Sequence, residues 1–245
     1  MEHWEELKPG GIRFLWDDAL FPPGTDTFVL SAFPKLKRGL RVCDLGSGTG
    51  LLSLLLVQRQ PDLSVTGIEL LPEAAALMER AVRENELEDR IRVICADVRT
   101  ARDLLPAGSF DLAVSNPPYF PLGRGAVPPD DVRRTARLEE SGTLQDFLNA
   151  SSCLLRWGGS LCVVHRPERL TDLLCGAREV GCEPKRLRLV CKQAGAAPSL
   201  VLLECRRGGK PGLVVEAELC LCNADGTATA ETEAIYFRGE EVSFG

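Results

Sequence analysis

The 245-residue chain has only two histidines, two tyrosines and two methionines, and none of its ten cysteines forms a C-x-x-C pair. With His3 and His165 far apart and no cysteine pair at ligand spacing, a zinc cluster has no foundation, and no metal is expected. Cys220 and Cys222 alternate on one strand face and are the pair that could chelate an ion. The other cysteines mostly lie inside apolar runs such as RVCDL, RVICADV and SLCVVH, as small buried hydrophobes in a reducing compartment do. Long apolar runs are missing too. The longest, LLSLLLV at 51–57, falls well short of the about 20 residues that cross a bilayer. The opening MEHWEELKPG carries three glutamates and no apolar core, so it does not read as a secretory signal. A cytoplasmic protein without a membrane is the expectation. An overall positive charge is also absent, the net charge being −6. The exception is 183–210, where Lys185, Arg186, Arg188, Lys192, Arg206, Arg207 and Lys210 stand against Glu183 and Glu204. Such a zone fits a polyanionic partner or, equally, a solvated charged face.

What is present is an alternation of apolar strands and amphipathic helices. Strand-like segments read at 40–46, 64–70, 90–98, 110–116, 160–166, 185–192 and 199–207, with helices at 50–60, 72–87, 143–157 and 167–181. Near-continuous apolar strands separated by helices predict an α/β fold: a doubly wound, mostly parallel seven-stranded sheet covered on both faces. Two long strands in succession at the end predict an antiparallel edge. Residues 41–207 form this core, with 1–40 an extension packed on it and 208–245 a C-terminal extension of the same domain. Nothing in the pattern sets an oligomeric state.

Open α/β sheets bind ligands at the carboxyl ends of their strands. The first core strand ends in DLGSGTG, with Asp44, Gly46, Gly48 and Gly50. Glycines at alternate positions let the backbone approach a ligand and turn into the next helix. The spacing is G-x-G-x-G, not the dinucleotide G-x-G-x-x-G. Glu69 ends the second strand, placed to accept from two ribose hydroxyls, and Asp97 ends the third, placed for the exocyclic amine of an adenine. Each alone has a plainer reading: a tight turn, a charge at a helix start, a cap. Together they predict an adenosine-type cofactor.

VCDLGSGTG, IEL, ADV and NPPY, in that order, resemble the class I S-adenosylmethionine-dependent methyltransferases. The resemblance implies that Asp44, Gly46, Gly48 and Gly50 cradle the methionine part of S-adenosylmethionine, that Glu69 holds its ribose and Asp97 its adenine. The fourth strand then ends in Asn116-Pro117-Pro118-Tyr119. Proline fixes φ and holds the preceding residue extended, and neither proline has an N–H. The segment therefore offers two fixed acceptors, the Asn116 amide oxygen and the Pro117 carbonyl, to a planar –NH₂ group. Such acceptors stabilise charge that develops on the nitrogen, and Tyr119 supplies a stacking face. The motif serves adenine, cytosine and glutamine amides alike.

The flanks PPGTDTFVLSAF (22–33), RRTARLEE (133–140) and TATAETEAIYF (227–237) resemble the tRNA1(Val) adenine-N6 methyltransferases, over about 22–237. That resemblance implies a tRNA partner, modification of the adenosine 3′ of the anticodon, and a Gly24-Thr25-Asp26 segment close to the cofactor. By itself Asp26 reads equally as a helix N-cap. The polar loop 121–140, with Arg124, Arg133, Arg134 and Arg137, is expected to cover the target and touch phosphates, a track that Arg206, Arg207 and Lys210 would extend. The alternatives are a HemK-type N5-glutamine methyltransferase acting on a protein, or a non-catalytic cofactor-binding subunit. The first normally carries a helical domain ahead of the first strand, where only 40 residues stand here; the second usually loses the catalytic tetrapeptide.

Overall fold

A computed structural model describes residues 1–20, 22–118 and 142–238. Tyr119 and the 121–140 loop lie outside the described residues.

In chain order the strands of the central sheet are β3 (Arg41–Leu45), β4 (Ser64–Glu69), β5 (Ile91–Cys95), β6 (Phe110–Ser115), β7 (Leu155–His165), β8 (Cys182–Cys191) and β9 (Pro198–Arg207), numbered after a separate hairpin of β1 (Glu2–Glu6) and β2 (Arg13–Asp17). They lie in the order β5-β4-β3-β6-β7-β9-β8. All neighbours through β7 are parallel, and β9 runs antiparallel to both β7 and β8. The predicted α/β sheet with an antiparallel edge pair is present, with β9 inserted between β7 and β8. Two strands of two residues, β10 (Val214–Val215) and β11 (Leu219–Cys220), pair with the outer side of β8. They were not foreseen, because two residues carry no period.

The helices are α1 (Thr25–Ala32), α2 (Leu51–Arg59), α3 (Pro72–Glu84), the single turn α4 (Ala101–Leu104), α5 (Leu144–Leu154), α6 (Leu170–Glu179) and α7 (Ala230–Ile235). Residues 51–57 of α2 are all buried, as a helix apolar on every side must be. Leu54, Leu55 and Leu56 pack with Leu30 of α1 and Val42 of β3 on one face of the sheet. Cys43 and Leu45 face the other way, onto Phe147 and Leu154 of α5. The alternation along β3 thus fills two cores, one per face. α5 ends at Leu154, three residues before the expected boundary, because Leu155 already pairs with Phe110 across a bulge.

The β1–β2 hairpin, read from the sequence only as part of an added segment, is tied to α3. Arg80 makes two hydrogen bonds to Glu2, at 2.6 and 2.8 Å, and Asn85, the C-cap of α3, both accepts from Arg13 N and donates to Arg13 O. The side-chain amide satisfies a hairpin N–H and, through a second bond to Ala81 O, adds to the backbone N–H that Asn85 already gives that carbonyl at the helix end.

Candidate functional site

The carboxyl ends of the parallel strands open into a cleft of about 450 Å³. Asp44, next to last in β3, is 1% exposed and accepts a hydrogen bond from the Ser53 hydroxyl at 2.7 Å. Burial pushes its carboxyl up to about 7; the Ser53 bond pulls the other way and neighbouring Glu69 adds to the rise. Glu69 ends β4 and accepts two backbone N–H groups, from Gly48 at 2.7 Å and from Leu71 at 2.8 Å. Burial raises its pKa against the pull of those donors. Each carboxylate oxygen has two lone-pair sites, so one bond on each leaves further acceptor capacity.

The glycines of the intervening turn do different jobs. Gly48 has φ +56 and open space where a Cβ would stand. Gly50, at φ +86, opens α2, and a Cβ there would lie 2.4 Å from the Met78 side chain. Gly46 and Gly48 line the cleft and Asp44 joins them, whereas Gly50 packs behind it against α3.

At the end of β5 the cleft wall is formed by Ala96 and Val98. Asp97, between them, turns its carboxylate to Arg99. It accepts from the Arg99 backbone N–H at 2.8 Å, as N-cap of the 3-10 turn Val98–Thr100, and from the guanidinium Nε at 2.9 Å. That pairing holds the Asp97 carboxyl below the usual range. Asp97 is thus the one expected cofactor residue, apart from Gly50, that does not line the cleft.

Asn116, Pro117 and Pro118 follow β6 into the same cleft, and Gly24, Asp26 and Thr27 enter it from the start of α1. The N-cap of α1 is Gly24, and Asp26 sits in the first turn, accepting from Thr27 N at 3.0 Å. The Asn116 amide donates from Nδ2 to Thr27 Oγ1 at 3.2 Å. Phe147 and Thr27 are among the wall residues that the sequence did not single out. Phe147 of α5 packs where a Cβ on Gly46 would meet its ring at 3.0 Å, and Thr27 meets Asn116 across 89 residues of chain. Neither contact leaves a signal in local sequence.

The basic zone is largely paired within the fold. Arg186 bonds Glu204 at 2.9 Å and Glu216 at 3.1 Å, and Arg188 bonds Glu231 at 2.5 Å. Arg206 donates to Gly158 O, and Arg207 to Cys153 O and Leu155 O. Because β9 is reversed, Arg206 and Arg207 stand at the end of the sheet away from Asn116, beside Ser160 rather than Val163. The expected phosphate track through these two arginines therefore does not lead from the cleft. Cys220 donates its thiol to Glu218, and among the described residues no group of three His, Cys, Asp or Glu side chains could hold a metal ion. Nor, among them, is any helix long and apolar enough to cross a membrane.

The family described as methyltransferase small domain matches residues 21–176. A tRNA1(Val) (adenine(37)-N6)-methyltransferase of Tolumonas auensis is 34% identical over 86% of this chain and 86% of its own, and one of Bacteroides fragilis is 32% identical over 77% and 79%. Solved structures share the fold at lower identity. A crystal structure from Agrobacterium tumefaciens described as a predicted O-methyltransferase superposes with TM-score 0.71 at 21% identity, covering 87% of this chain and 96% of its own. A 16S rRNA N2 methyltransferase of T. thermophilus, in complex with AdoMet and guanosine, gives 0.59 at 20%, covering 84% and 50%. The chain belongs to the methyltransferase small domain family and to the family of tRNA1(Val) (adenine(37)-N6)-methyltransferases.

Proposed function

We propose that this protein transfers a methyl group from S-adenosylmethionine to the exocyclic N6 amine of an adenosine in a tRNA, the activity its relatives are named for. The observation that carries the reading is one cleft lined by Asp44, Gly48 and Glu69 together with Asn116 and Pro117. Its volume suits a nucleoside-sized ligand. The residues fit the cofactor: open space at Gly48, a carboxylate at Glu69 with acceptor sites for a ribose diol, and the buried carboxylate of Asp44 for a cation. Ile68, Ala96 and Val98 offer apolar surface for a flat ring. Asp97 takes the ring's amine in this proposal by exchanging its bond to Arg99, and Asp26 closes the methionine end.

When bound, the cofactor supplies an electrophilic methyl group on a sulfonium sulfur. The chain's part is to aim the amine at it. Asn116 Oδ1 and the Pro117 carbonyl accept the two N–H groups of the target amine and stabilise the positive charge that grows there during attack. Pro117 holds its predecessor extended, so both acceptors stand in place before the substrate arrives. Tyr119 provides a face for the flipped base. Leaving a bound, poorly nucleophilic amine without these acceptors costs rate, not cofactor affinity. Asn116→Ala is therefore expected to retain cofactor binding and lose turnover by about a hundredfold to a thousandfold, as loss of a single fixed acceptor or donor does at such sites. Undiminished turnover in that variant overturns the site assignment.

A further inference from the structure

The first turn of α1 is held from two sides. On the cleft side, Thr27 Oγ1 takes the Asn116 Nδ2–H. On the outer side, Tyr236 stacks its ring on Phe28, with centroids 4.3 Å apart and planes at 18°, and donates its hydroxyl to Thr25 Oγ1 at 3.2 Å. The C-terminal segment is itself clasped: Arg59 donates to Ile235 O at 2.6 Å and to Ser31 Oγ at 3.0 Å, and its guanidinium lies 4.5 Å from the centre of the Phe237 ring. Gly24, the N-cap of α1, has no side chain to cap the turn, and the Thr27 N–H is held instead by the Asp26 side chain at 3.0 Å.

We infer that Thr27 is a positioning residue for the Asn116 amide, and that Tyr236, through Thr25 and Phe28, sets the turn that carries it. The inference rests on the reading of Asn116 as an acceptor for the substrate amine. The terminal torsion of an asparagine is broad and roughly two-fold, so an unanchored amide rotates and can present its –NH₂ where an oxygen is required. With Nδ2 bonded to Thr27, one edge of the amide is tied to α1 and the oxygen occupies the other edge. A hydroxyl both accepts and donates, whereas valine, of the same shape, does neither. The arrangement also gives a physical role to the TATAETEAIYF segment: it braces the helix that anchors the catalytic amide from more than 200 residues away.

The test uses the full chain with Thr27→Val, Thr27→Ala, Thr27→Ser and Tyr236→Phe. Three quantities are read: the Asn116 side-chain amide resonances, identified by their loss in Asn116→Asp; cofactor affinity by calorimetry; and the single-turnover methyl transfer rate to unmodified tRNA at saturating cofactor. Thr27→Val and Thr27→Ala should move the Asn116 amide signals away from their wild-type positions. The transfer rate should fall by about tenfold to a hundredfold, as small misplacements at reacting centres do, with cofactor affinity unchanged. Thr27→Ser should restore most of the rate, and Tyr236→Phe should fall between Thr27→Ser and Thr27→Val. Wild-type amide signals in Thr27→Val, or a wild-type rate, or a loss confined to cofactor affinity, overturns the inference. If wild-type protein transfers no methyl group to tRNA, the functional reading fails, and the amide signals alone still decide whether Thr27 holds Asn116.

Discussion

The carboxylate of Glu69 accepts the backbone N–H of Gly48 at 2.7 Å, joining the end of one sheet strand to the turn that follows its neighbour. With the Leu71 N–H on its other oxygen, the side chain is the bolt between the two loops that frame the cleft.

Glu69→Gln should therefore harm more than ligand binding. An amide has one oxygen for two fixed N–H donors, so one of them faces an –NH₂ group. A buried donor left unsatisfied costs about 1–3 kcal/mol. Denaturant unfolding should show a loss of that size, and cofactor titration a further drop in affinity. A variant as stable as wild type would mean that the two bonds do not frame the loop.

Asp44 makes stability depend on pH. Its carboxyl titrates at about 7 in the folded chain against 3.8 as the ordinary value. Between those values the folded state keeps a proton that the unfolded state has lost. This contribution is thus complete below the lower value, falls as pH rises through the window, and is lost above about 7. Asp44→Asn keeps an acceptor for Ser53 and removes the titration. Unfolding measured from about pH 5 to about pH 8 should show the stability difference shifting in favour of the variant, by a total on the order of a few kcal/mol. Parallel curves would contradict the burial account.

Gly48→Ala and Gly50→Ala should separate affinity from stability. Both place a side chain in the left-handed region, at about 1–2 kcal/mol each. Only Gly50→Ala adds a clash with Met78, worth about 1–3 kcal/mol of overpacking. Gly50→Ala should lower Tm more, while Gly48→Ala should lose more cofactor affinity, since its Cβ fills cleft space. Equal effects on both quantities would undo the distinction.

These contrasts mark how far the sequence reaches. Asp44, Glu69 and Asn116 were legible because strands that end at a ligand site end on a polar residue, and an apolar run followed by one is a local pattern. Gly50 carries the same turn signal as Gly48, yet the tertiary fold assigns one to packing and the other to the cleft. Asp97 showed its position but not its orientation, since Arg99 two residues on competes for its carboxylate. Arg206 and Arg207 read as free charge, but strand reversal put them at the wrong end of the sheet, turned to backbone carbonyls. The hairpin of β1 and β2 was missed because its strands hold more charged than apolar residues, and its docking on Asn85 and Arg80 is long-range.

The central claim is that the cleft methylates the N6 amine of an adenosine in tRNA. Its most direct test is nucleoside mass spectrometry of unmodified bulk tRNA incubated with the protein and S-adenosylmethionine, beside a reaction without cofactor. The account predicts new N6-methyladenosine in the complete reaction only. Cofactor binding confirmed by calorimetry, with no N6-methyladenosine formed, would contradict it.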